Sequence, residues 1–128
     1  MTTSQPTILI VEDDRALNTA LVDTLTREGY SILASVNGQE GLDLAYQYKP
    51  DLILLDLFMP IMDGHEFMQK LRADSWGKNA RIVVLTNFSM SESDVSKTVI
   101  ETKPLYFFVK SSTRLAKLTQ TINDIFKK

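Results

Sequence analysis

The chain has 128 residues, a formal net charge of -2 and a 44% hydrophobic share. These values suit one domain with a buried core and give no bulk electrostatic case for nucleic acid. It has no cysteine, which excludes disulfide frameworks and thiolate metal sites; its apolar runs are far too short to cross a bilayer.

Residues 1–6 are polar, lack a signal-peptide apolar region, and read as a flexible N-terminal tail. Thr7-Ile8-Leu9-Ile10-Val11 is an apolar run ending at acids, the pattern of a strand covered on both faces. Asp14 is placed to cap a helix whose inward face is Leu17, Leu21 and Leu25 with Ala20 beside them. Gly29 stands where that helix stops. Ser31–Ser35 reads as a weaker strand. Asn37 and Glu40 have capping-box spacing and open a helix to Tyr48, ended by Pro50. Leu52-Ile53-Leu54-Leu55 is a buried strand with Asp56 at its end. Asp63 and Glu66 repeat the capping spacing, ahead of Phe67, Met68 and Leu71. Ile82-Val83-Val84-Leu85 is a fourth strand, closing at Thr86. Ser91–Glu101 reads as a helix despite its β-branched residues. Tyr106–Val109 is a fifth strand. Thr113 is placed to cap a last helix with Leu115, Leu118, Ile122, Ile125 and Phe126 inward. Five β-α repeats predict an α/β fold: a doubly wound five-stranded parallel sheet with helices on both faces. No linker or repeat interrupts it, so residues 7–128 are expected to be one domain, soluble and cytoplasmic, with none following.

Ligands of open parallel sheets bind beyond the carboxyl ends of the strands. Glu12, Asp13 and Asp14 follow the first strand, Asp56 ends the third, Thr86 ends the fourth and Lys110 follows the fifth. Taken singly, Asp13 and Asp14 read as helix-capping acids, Asp56 as a solvated strand end, Lys110 as a surface lysine and Thr86 as a β-former. Their joint placement at one rim points elsewhere. Clustered carboxylates disfavour full ionisation unless a cation intervenes. Oxygen ligands without His or Cys favour Mg²⁺, Mn²⁺ or Ca²⁺ over zinc, and Mg²⁺ commonly shares carboxylates with phosphate. Phosphoryl transfer needs positioning and charge neutralisation. Asp56 is the expected nucleophile, with the metal, Lys110 and the Thr86 hydroxyl each facing one phosphoryl oxygen.

Together these residues resemble the receiver domains of two-component signalling, over Thr7 to Phe126. The pieces are Ile8-Leu9-Ile10-Val11-Glu12-Asp13-Asp14, Asp51-Leu52-Ile53-Leu54-Leu55-Asp56, Met59-Pro60 with Asp63-Gly64, Leu85-Thr86 and Val109-Lys110. The resemblance implies a flavodoxin-like strand order, 2-1-3-4-5. It implies that Asp56 is the phosphoacceptor, that Asp13 ligates Mg²⁺ and that Glu12 acts largely through a metal-bound water. The Phe58 backbone carbonyl would be a further metal ligand. Phe107 falls at the switch aromatic that moves with Thr86; its plain alternative is core packing. Phe58 and Phe88, two residues beyond Asp56 and Thr86, would shield the phosphoryl group from water and slow its loss, unless both simply pack.

The implied function is a phosphorylation switch, not a turnover enzyme, charged by a histidine kinase or histidine phosphotransfer protein that docks on the first helix and nearby loops. Output would pass to a downstream protein, to a phosphorylation-dependent homodimer, or end in phosphate relay, with no nucleic acid or membrane contact. His65, the sole histidine, is assigned no relay role. Some positions depart from the family. Ser111 replaces a proline often found in a cis peptide, Lys103-Pro104 replaces Gly-Ala, and Asn87 replaces a small residue. They cluster toward the face that reports activation, which keeps open a degenerate receiver acting as an unphosphorylated interaction module. A nucleotide or flavin binder would need a Gly-rich or hydroxyl-rich first loop instead of Glu12-Asp13-Asp14. An aspartate-based phosphatase would need an acid where Phe58 stands.

Overall fold

The structure, a computed structural model, describes residues 5–57, 59, 61–86, 103–110 and 113–127. In chain order these form β1 (Thr7–Val11), α1 (Arg15–Arg27), β2 (Ser31–Ser35), α2 (Gly38–Tyr48), β3 (Leu52–Asp56) and α3 (Gly64–Ala73). A 3-10 turn (Gly77–Asn79), β4 (Ile82–Thr86), β5 (Tyr106–Val109) and α4 (Leu115–Ile125) follow. The expected Ser91–Glu101 helix lies outside the described residues, as do Phe58, Asn87, Phe88 and Ser111.

All strand pairs are parallel and the order is β2-β1-β3-β4-β5, as expected. Side chains alternate between faces along a strand, so each apolar run feeds two cores. Leu9, Val11, Ile53, Leu55, Ile82 and Val84 face α2 and α3, meeting Leu42, Phe67, Met68 and Leu71. Ile8, Ile10, Leu52, Leu54, Val83 and Leu85 face the other way, toward Leu21 and Leu25 of α1 and Leu118 and Ile122 of α4. Each fully buried Leu or Ile contributes about 1.5–3 kcal/mol, which holds such runs in the middle of the sheet. β2 has a mixed burial pattern because it is an edge strand.

The expected caps Asp14, Asn37 and Asp63 accept hydrogen bonds from the amides of Leu17, Glu40 and Glu66. Gly29 leaves α1 at φ 97, a conformation that glycine adopts without a Cβ penalty. One expectation is corrected: the N-cap of α4 is Arg114, not Thr113, and it has no side-chain capping bond. Ile125 and Phe126 face inward as expected, half-buried against the second core, with Phe126 against the Tyr30 ring. The described helices include none long and apolar enough to cross a membrane.

Candidate functional site

Sheet register brings the site together. Val11 is level with Leu55, so Glu12 and Asp56 stand side by side at neighbouring strand ends. Asp56 pairs with Leu85, placing Thr86 one step beyond it. Thr86 pairs with Val109, and Lys110 comes next. Residues separated by nearly the whole chain thus share one rim.

Glu12, Asp56 and Thr86 are each 1% exposed. Carboxylate oxygens of Glu12, Asp13 and Asp56 all lie within 4.8 Å of one another. The Lys110 Nζ bridges two of them, 2.8 Å from Glu12 Oε1 and 3.2 Å from Asp56 Oδ2. Burial pulls the Lys110 pKa down, but the facing Glu12 and Asp56 carboxylates outweigh it, so the net shift is upward. Among the described residues the ammonium, 2.8 Å away, is what faces the buried Glu12 Oε1. Three clustered oxygen donors fit a hard divalent cation.

Local structure holds these acids in place. Glu12 Oε2 accepts from the Asp14 amide at 3.0 Å, while Asp14 caps α1. α3 starts directly behind the third strand: the Gly64 amide donates to the Leu57 carbonyl at 2.9 Å. A Cβ on Gly64 would lie 2.5 Å from the Asp56 carbonyl oxygen, so only glycine permits this approach.

Of the residues expected at the site, Glu12, Asp13, Asp56 and Lys110 come together, and the register sets Thr86 at the same rim. Phe107 is half-buried against the core on the α2–α3 side. Phe58 and Phe88 lie outside the described residues. At the departure from the family pattern, Lys103 adopts left-handed backbone (φ 50), and its carbonyl accepts from Arg72 at 3.3 Å.

Sequence reasoning missed Asn18. The buried positions of α1 are Asn18, Leu21 and Leu25. Asn18 Nδ2 donates to the carbonyls of Glu12 (3.0 Å) and Ser35 (2.9 Å). An amide at helical spacing from two buried leucines was the available signal.

Comparison with known proteins agrees with this geometry. Residues 8–123 match the family model of the response regulator receiver domain. The response regulator MprA of Mycolicibacterium vanbaalenii is 43% identical over 79 residues, which are 62% of this chain and 33% of that protein. The transcriptional regulatory protein AfsQ1 of Streptomyces coelicolor is 42% identical over 67 residues, 52% of this chain and 30% of that protein. The matched stretches thus span about a third of these relatives' length. Among solved structures, Vibrio cholerae chemotaxis protein CheY4 superposes with a TM-score of 0.84 at 24% identity, over 95% of this chain and 99% of that one. The receiver domain of sensor histidine kinase PA1611 from Pseudomonas aeruginosa, which has a magnesium ion coordinated in its active-site cleft, gives 0.83 at 22% identity. That match covers 98% of this chain and all (100%) of that one, and at such identities the likeness speaks for the fold. With the family model spanning most of the sequence, this chain belongs to the response regulator receiver domain family.

Proposed function

We propose that the chain is a phosphorylation-dependent signalling switch that accepts a phosphoryl group on Asp56 from a histidine kinase or histidine phosphotransfer protein. One observation carries this reading: Asp56 ends its strand between two other carboxylates and the Lys110 ammonium.

In the transfer, an Asp56 carboxylate oxygen attacks the phosphorus of the donor phosphohistidine. A P–O bond forms as the P–N bond breaks, and the imidazole leaves with the electron pair and takes a proton from water. Lys110 holds its proton and faces one phosphoryl oxygen; the Thr86 hydroxyl faces another. Glu12, Asp13 and Asp56, with the Phe58 backbone carbonyl, would hold Mg²⁺, whose charge offsets that of the third oxygen. Phe107 then repacks with Thr86, and the rings of Phe58 and Phe88 keep water from the product. The domain spans residues 7–128 and acts in the cytoplasm as a switch, passing its state to a downstream protein or a second copy.

Intact-mass measurement after incubation with Mg²⁺ and a small acyl phosphate tests the proposal. The native chain is expected to gain one phosphoryl group and Asp56→Asn none. A folded native chain that gains nothing supports the unphosphorylated interaction module instead, and equal gain by Asp56→Asn rejects the acceptor.

A further inference from the structure

We infer that Asn18 is a positioning residue for the acidic loop that would hold the metal, an inference that rests on the proposed function. Glu12 is restrained at both ends of its own backbone. Its amide donates to the Ser35 carbonyl at 3.1 Å, and its carbonyl accepts from Asn18 Nδ2 at 3.0 Å. The same Asn18 nitrogen also reaches the Ser35 carbonyl at 2.9 Å. One side-chain amide therefore ties the end of β1 to the end of the neighbouring β2, using both of its hydrogens. Asn18 is 8% exposed and Ser35 2%, so little water is at hand to substitute.

The tie lies immediately before Asp13. Glu12 and Asp13 project from the peptide that Asn18 grips, toward Asp56. The grip fixes that peptide's plane and hence the direction of both carboxylates. Mg²⁺ demands near-ideal octahedral geometry, so it is sensitive to a rotation that mere packing would absorb. Residues that orient ligands without touching the metal commonly change its affinity by about 10–100-fold. A side chain that only completed the core would be better served by an apolar residue such as leucine, which has as many heavy atoms and no polar cost.

The test compares Asn18→Leu with Leu21→Ala, a cavity one turn along the same buried face of α1. Mg²⁺ is titrated into each folded protein and followed by amide chemical shifts. Hydrogen exchange of the Asp14 amide is measured without metal. Asn18→Leu is expected to weaken Mg²⁺ binding about tenfold and to speed Asp14 exchange relative to the exchange of the sheet. Leu21→Ala is expected to lower the melting temperature while leaving Mg²⁺ affinity within about twofold of native. If Asn18→Leu binds Mg²⁺ as the native chain does, or changes Asp14 exchange only as much as Leu21→Ala, the positioning role is overturned. Asn18→Ala, which admits water to the two carbonyls, carries the same comparison if the leucine variant does not fold. A native chain that binds no Mg²⁺ would defeat the functional reading, whereas the exchange experiment judges the grip by itself.

Discussion

The two rims of the sheet treat buried charge in opposite ways. At the amino-terminal rim, Arg72 is half-buried, and burial lowers its pKa. Its guanidinium donates to the carbonyls of Gly77 (2.9 Å), Ala80 (2.6 Å) and Lys103 (3.3 Å). Carbonyl dipoles gather around its charge. At the carboxyl-terminal rim, three carboxylates gather and, among the described residues, the Lys110 ammonium lies against two of them. The first arrangement ties a helix to the residues before β4 and β5. The second brings like charges together at neighbouring strand ends, the condition of a site built for something that arrives. A buried charge set among like charges therefore indicates function, and one gripped by backbone carbonyls indicates architecture.

The largest stability effect should come from breaking the first arrangement. Arg72→Met strands several carbonyls at once and is expected to cost about 3 kcal/mol, since hydrogen bonds to charged groups run at about 1.5–3 kcal/mol each and are not additive. Denaturant melts with and without Mg²⁺ should show the same loss. A loss that Mg²⁺ repairs would erase the distinction between the rims.

Lys110→Met should cost less, about 2 kcal/mol, because the ammonium is partly solvated and the full value of a buried pair does not apply. Here Mg²⁺ should restore much of the loss, so the metal-induced rise in melting temperature is larger than in the native chain. The alkaline limb sharpens the point. Lys110 has its pKa raised from 10.5 in the folded chain. Its contribution is therefore fully present below the ordinary lysine value and fades as pH rises through the higher folded value. The native chain should lose stability in that window more steeply than Lys110→Met, and parallel curves would contradict the assignment.

The smallest effect concerns the loop after the acceptor. Ile61 is 82% exposed and adopts φ 74, a costly conformation for a β-branched residue. Ile61→Gly should stabilise the chain by about 0.5–1 kcal/mol, the relief of strain being partly offset by the entropy of the added glycine. A melting temperature that falls instead would show that the isoleucine makes a contact worth more than its strain.

Much of this was legible residue by residue. The runs Ile8–Val11, Leu52–Leu55 and Ile82–Leu85 announce strands buried on both faces, and Asp14, Asn37 and Asp63 announce helix starts, because both signals are local. The rim acids and Lys110 were legible as a set only through the rule that parallel strands deliver their ends to one side. The Lys110 bridge depends on register and rotamer, which no spacing encodes. Asn18 was overlooked because a polar residue within an amphipathic helix is normally assigned to the wet face. Thr113 was misread because a good capping residue stood one position before a helix that starts without a side-chain cap.

The first strand is not at a margin but inside the sheet, flanked by β2 and β3. Its start is tied on both sides: the Pro6 carbonyl accepts from Ser31 at 3.0 Å, and Thr7 exchanges bonds with Asp51 at 2.7 and 2.8 Å. Trimming even a few residues past Gln5 would thus unzip the barrel-vault at its keystone, and a tag fused too tightly there would be felt at both haunches at once.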